Sequence, residues 1–262
     1  VQTCALPIFH IWGTVTDGQY AFAPETTWPK LTQVKANFDF NRVQLEFANV
    51  QTQFHGIPLK GSAKIADLRK TTVEVQAQGK LPLARGLSLI NESPLKGITK
   101  QIFVQSSASG TADAKVQLSL PISNMVQSKV QVGLVWSDDD NWFVLNPQTP
   151  PVSKLRGQLS LNEAGLQAVN LQSQVLGNEL RVTGNSQRIT GSGTVSAEGL
   201  ANWKQQPLAL RAAAHLQGMT PYSFQLTPSG QGRLFNLVLE SNLVGLRSEE
   251  RRVGKECLRL CR

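Results

Sequence analysis

The sequence predicts an all-β fold: a curved, mainly antiparallel β-sheet groove of repeated modules with one short amphipathic helix. Three observations predict it. Apolar and polar residues alternate with period 2 along much of the 262-residue chain. One stretch recurs about 121 residues further on. Charged residues are 17% beside 21 glycines, a turn-rich balance that suits strands better than a helical bundle.

The elements follow in order. In residues 31–40, Val34, Ala36, Phe38 and Phe40 alternate with Gln33, Lys35, Asn37 and Asp39. Val43, Leu45 and Phe47 then share one phase, whereas Ala48, Val50, Thr52 and Phe54 take the other. Such a flip sets two adjacent side chains on one face, as a β-bulge does, and bulges bend and twist a sheet. Residues 82–94 break the alternation: Pro82, then Leu83, Leu87 and Ile90 at helical spacing, predict a short helix ending by Pro94. Alternation resumes at Val116, Leu118 and Leu120, and again at Val130, Val132, Leu134 and Trp136. A further strand carries Leu155, Leu159 and Leu161, after which Leu166 and Ala168 flip phase to Val169, Leu171, Ser173 and Val175. Turn signals separate the strands at 41–42, 138–141, 162–165 and 227–230. The apolar strips are not continuous runs, which argues against a parallel sheet buried on both faces.

The repeat sets Asn49, Gln51, Gln53, Gly56 and Leu59 on Asn170, Gln172, Gln174, Gly177 and Leu180, five identities within eleven residues. The expected organisation is a first β-groove module at 9–81, the helix with connecting strands at 82–129, and a second module at 130–246. Residues 1–8 and 247–262 differ in character from the rest. Read in frame, both resemble the translation of a sequencing-library adapter, and they are set aside from fold reasoning. All three cysteines, Cys4, Cys257 and Cys261, fall in those ends. Six Lys/Arg and three Glu lie in 247–262, so the +8 of the full chain becomes 20 basic against 15 acidic residues in between. That weakens any nucleic-acid reading based on charge. The piece between reads as internal to a longer protein.

Catalytic constellations are missing. No nucleophile elbow, P-loop, dinucleotide fingerprint, zinc spacing or paired carboxylates emerge. His55 precedes the turn glycine Gly56, but the other copy has Leu176 there, so the module does not demand an imidazole. Asp138, Asp139 and Asp140 lack the alternating ligands, Gly and distal Glu of a calcium loop and read as a polar hairpin tip between Trp136 and Trp142. No metal and no cofactor is expected. The aromatics follow the apolar phase rather than the basic residues, which favours core or lipid contact over base stacking.

Residues 28–40, 47–56 and 82–90 carry a resemblance that extends over 9–246: the chain is similar to the AsmA-like family of repeating β-groove proteins, which includes TamB. The resemblance implies a non-enzymatic, inner-membrane-anchored periplasmic protein. Its anchor would lie outside this chain. It implies a bridge along which phospholipids pass between inner and outer membranes, with acyl chains on an apolar groove, membrane contacts made elsewhere in the protein and no nucleic acid. A structural β-scaffold or an outer-membrane assembly factor are the alternatives. The expected groove residues are Val34, Phe38, Phe40, Leu45, Phe47, Val130, Val132, Leu134, Trp136, Leu155, Leu159 and Leu161.

Overall fold

Strands follow the alternation almost everywhere it occurs. The computed structural model describes residues 9–21, 28–124, 127–203, 215–229 and 235–248. In chain order the elements are β1 (His10–Tyr20), β2 (Leu31–Asn41), β3 (Gln44–Phe54), β4 (Ile57–Ile65), β5 (Thr72–Pro82), α1 (Leu83–Glu92), α2 (Leu95–Ile98), β6 (Ser107–Ser109), β7 (Thr111–Pro121), β8 (Lys129–Trp136), β9 (Trp142–Val144), β10 (Val152–Asn162), β11 (Gly165–Val175), β12 (Asn178–Gly184), β13 (Ile189–Ser196), α3 (Ala197–Asn202), β14 (Leu216–Pro228), β15 (Phe235–Glu240) and β16 (Leu246–Ser248). The protein is a mostly antiparallel β-sheet structure. Helices α2 and α3 accompany the expected α1.

The chain divides into two compact units: residues 1–99, 111–135 and 160–165 form the first, and 100–110, 136–159 and 166–262 the second. In the first, the strands run β1-β2-β3-β4-β5-β7-β8, each antiparallel to its neighbour. In the second the order is β10-β11-β12-β13-β14-β15; β9 pairs with β10 and β6, and β16 with the start of β14.

The phase flip of β3 is a bulge. Phe47 pairs with Ala63 but Val50 with Gly61, so β3 spends one residue more than β4 over that step. Asn49 takes φ +53° to do it. Exposure inverts at the same point: Leu45, Phe47, Ala48 and Val50 are half-buried while Glu46, Asn49 and Gln51 are exposed. In β11 the register with β12 is regular from Val169 to Val175, and Ser186 N–H donates to the Leu166 carbonyl one residue out of that register. Ala168 is exposed and Val169 buried there.

Backbone conformation recurs at an offset of 121. Gln33 and Lys154 have φ +52° and +50°; His55-Gly56 have +52° and +73°, and Leu176-Gly177 have +51° and +81°. Positive φ at both central residues is what a type I′ hairpin turn requires, and its twist matches that of the flanking strands. A helix lies against each turn. Helix α1 begins after Pro82 and stops at Ser93, whose extended backbone is the conformation expected before Pro94. Its Ser88 Oγ lies 2.9 Å from His55 Nε2. Helix α3 starts at Ser196, whose hydroxyl accepts from Gly199 N–H at 3.0 Å and from Asn178 Nδ2 at 3.3 Å. Asn178 Nδ2 also donates to the Leu176 carbonyl in the turn.

The segment between Trp136 and Trp142 corrects the sequence reading. Strands β8 and β9 do not pair with each other; β9 pairs with β6 and β10, so 137–141 is a crossing rather than a hairpin tip. Asn141 anchors it. Its side chain is buried to 2% exposure; Nδ2 donates to the carbonyls of Asp138 and Leu155, and Oδ1 accepts from Leu155 N–H at 2.5 Å. Asp139 holds the Arg156 guanidinium through two hydrogen bonds of 2.6 Å.

Candidate functional site on the apolar sheet face

Period 2 gives each strand one apolar face, and register decides whether those faces line up across the sheet. In the first unit they do. Gly13, Phe38, Phe47, Ala63, Val75, Leu118 and Val130 are successive cross-strand partners over seven strands. Ile11, Phe40, Leu45, Ile65, Val73 and Leu120 form a second row. Beyond the bulge, Val50, Gly61, Ala77, Val116 and Val132 form a third. Without the extra residue in β3, Val50 would point to the opposite face and the third row would break.

The second unit repeats the pattern. Leu171, Val182, Gly191, Phe224 and Leu239 make one row, and Val169, Gly184, Ile189, Leu226 and Leu237 the next. A Cβ on Gly191 would lie 2.2 Å from the Phe224 ring, so the missing side chain is the seat of that ring. Tyr222, one row over, is partly buried, and desolvation pushes its hydroxyl above the ordinary tyrosine range.

The twelve residues expected in the groove are placed as follows. Val34, Phe38, Phe40, Leu45 and Phe47 lie half-buried on β2 and β3; Val130, Val132 and Leu134 lie half-buried on β8, with Trp136 buried at its end. Leu155 is buried on β10, where its backbone meets Asn141, and Leu159 and Leu161 are half-buried. Sequence reasoning passed over Ile65, Val73, Val182 and Phe224, which the register adds to the rows. Their strands alternate too, but Gly61, Ser62 and Ala63 on β4, Ala77 and Gly79 on β5 and the mere two large apolar residues of β12 dilute the apolar signal.

These rows are not a closed core. Of the nine buried apolar residues described, four are alanines, and of the large side chains in the rows only Val169 is buried; Phe38, Phe47, Leu118 and Phe224 are among those that stay partly exposed. Within each unit the strands contact their sheet neighbours edge to edge, and the helices touch the sheet at β5, β13 and β14. Among the described residues the strands of each unit therefore form one layer, whereas an ordinary domain buries an apolar face against a second layer.

One cluster has the composition of a hydrolytic triad. His55 Nε2 lies 2.9 Å from Ser88 Oγ and 3.6 Å from Glu92 Oε2, and Ser88 donates to Glu92 Oε1 at 2.7 Å. The wiring differs from a triad. A single imidazole nitrogen faces both partners, and the serine proton is already given to the carboxylate, so no base is oriented to take it. The cluster ties α1 to the β3–β4 turn. Among the described residues no group of three or more His, Cys, Asp or Glu could hold a metal ion, and no helix is long and apolar enough to cross a membrane.

No curated protein and no solved structure matches the chain. The family model described as "YhdP protein" matches residues 3–249. That covers nearly the whole chain, including most of the first eight residues; residues 1–8 and 249–262 themselves lie outside the described part of the structure. The chain thus belongs to the YhdP family, a non-enzymatic, AsmA-like family with a general role in lipid transport.

Proposed function

We propose that the chain is a section of a bridge that carries phospholipids between the inner and outer membranes, their acyl chains lying along the apolar rows. It would stand in the periplasm, anchored to the inner membrane by a segment outside this chain. The observation that carries the reading is the continuity of half-exposed apolar rows on a sheet one layer thick. Exposing two acyl chains of roughly 16 carbons to water costs about 25 kcal/mol, at about 0.8 kcal/mol per CH₂. A strip of apolar side chains removes most of that cost without a chemical step, and headgroups remain in water at its open side. Function of this kind needs a stripe rather than a discrete site.

Photocrosslinkable residues at Phe38, Phe47 and Leu159 should label phospholipid in cells, and one at Lys35, on the exposed phase, should not. Phe38→Asp or Phe47→Asp should impair lipid passage more than Lys35→Asp. Label at Lys35 with none at Phe38 or Phe47 would reverse the faces. Purified protein that carries no lipid and takes up no Nile red would replace the conduit with an inert scaffold.

A further inference from the structure

The opposite face of the first unit is polar, and its charges are sorted. Toward one end of the strands Asp39, Glu46, Lys64, Glu74, Ser119 and Lys129 are successive cross-strand partners, so acids and bases share the row and Lys64 reaches Glu46 at 4.0 Å. Four residues further along the strands the partners are Lys35, Gln51, Lys60, Gln78 and Lys115. No carboxylate interrupts that row. Lys80 stands beside its end, in register with Asp113. Among the described residues none of Lys35, Lys60, Lys80 and Lys115 makes an ion pair. The face is concave here: a cleft of about 790 Å³ is lined by these four lysines, by Gln51 and Gln78, and by a single carboxylate, Asp113, opposite Lys80. The β2 irregularity around Lys35, with Gln33 at φ +52°, lies at its rim.

The second unit places cations at the corresponding positions, Arg156 for Lys35 and Arg181 for Lys60, with Gln172 for Gln51. There Arg156 is already neutralised by Asp139. The first unit keeps the cation–glutamine–cation pattern, and among the described residues Lys35 has no such carboxylate partner.

We propose that this cleft is a docking surface for an acidic, extended segment of a partner protein. Like charges held on one concave face repel one another until an anion arrives, so the surface is complementary to negative charge. A transported lipid is the wrong anion, because the sheet itself separates a headgroup here from tails on the apolar face. A bilayer surface is flat and the cleft is not. Alternate strands lie about 9–10 Å apart, close to one three-residue turn of a chain in the polyproline II conformation, so a carboxylate at every third position would meet successive lysines on one side. Gln51 and Gln78, between them, offer amide donors and acceptors to the segment's backbone.

The test is binding of a fluorescein-labelled oligoglutamate to the intact chain, read by anisotropy. Lys35→Gln/Lys60→Gln/Lys115→Gln should weaken binding about tenfold, as three exposed ion pairs lost together would. The charge-matched control Lys70→Gln/Lys96→Gln/Lys129→Gln should change it less than about twofold. Lys60→Gln alone, which places an amide where β3 and β5 already carry one, should give about a twofold loss and guards against misfolding of the triple variant. Equal losses in both triple variants would reduce the effect to net charge and overturn the proposal, as would no binding by the unsubstituted chain. Cleft-dependent binding to phosphatidylglycerol vesicles without binding to the peptide would overturn it in favour of a lipid surface. Each result is independent of whether crosslinks on the apolar face label lipid.

Discussion

Gly61 and Gly133 are both strand glycines in the first unit, and the structure separates them. A Cβ at Gly61 would sit 1.9 Å from the Gln76 carbonyl oxygen and 2.9 Å from the Ala77 Cα, both backbone atoms that cannot swing aside. The close approach follows from the bulge, since Gly61 is the first β4 residue to pair beyond the extra residue of β3. At Gly133 nothing lies within 4 Å. Gly61→Ala should therefore destabilise the chain by about 3 kcal/mol, because β4 and β5 must part to admit the methyl. Gly133→Ala should be neutral or stabilising by about 0.5 kcal/mol, the usual gain of Ala over Gly in a strand. Urea unfolding of the two variants checks the pair. Equal midpoints would mean that the approach of β4 to β5 is looser than these distances.

At the scale of elements, the turns and crossings are held by carboxylates. Arg156 hydrogen-bonds Asp139 and holds its carboxyl below the ordinary aspartate range; Arg69 does the same to Asp67, and the Val130 backbone N–H lowers Glu163. Each group binds protons less readily folded than unfolded. The stability it gives is thus present above the ordinary carboxylate range and is lost as pH falls through the lowered folded value. Wild-type chain should lose urea resistance between about pH 5 and pH 3, and Asp139→Asn should lose less over that interval while being weaker near neutrality. A variant with an undiminished acid response would show that the 137–141 crossing takes no strength from Asp139. The same scale shows what was legible beforehand. Strands β2, β7 and β8 and the bulge of β3 were readable because alternation and its flip are local properties of the chain. Helix α1 was readable because Leu83, Leu87 and Ile90 spell one face. Helices α2 and α3, of four and six residues, are too short to show a period, and β6 and β9 are three residues each. The crossing at 137–141 was misread because a polar run between two tryptophans looks like a tip, whereas Asn141 is fixed by Leu155, fourteen residues on. Which residues prefer the drier face was visible at Phe38 or Leu45. That Phe47 lies beside Ala63 and then Val75 was not, because register is settled by the bulge and the turns.

Over the whole molecule the apolar rows recur, in different side chains, in both units, and that repetition determines how lipid binding should scale. A discrete pocket recognises a headgroup through a few placed polar groups, and its affinity saturates once the pocket is full. A stripe recognises length. Each further CH₂ laid along a row such as Phe38, Phe47, Ala63, Val75 and Leu118 contributes up to about 0.8 kcal/mol until the acyl chain outruns the row. Thermal stabilisation of the delipidated chain by single-chain phospholipids below their micelle concentrations should therefore climb with acyl length, since at a fixed ligand concentration stabilisation of the folded state grows with the logarithm of affinity. Exchanging a choline for a glycerol headgroup at fixed length should shift it little. Phe47→Asp and Phe224→Asp should each flatten the dependence, one in each unit, because a carboxylate that an acyl chain must desolvate interrupts its row. A response that follows the headgroup and ignores chain length would place recognition in a polar site and remove the stripe from the mechanism.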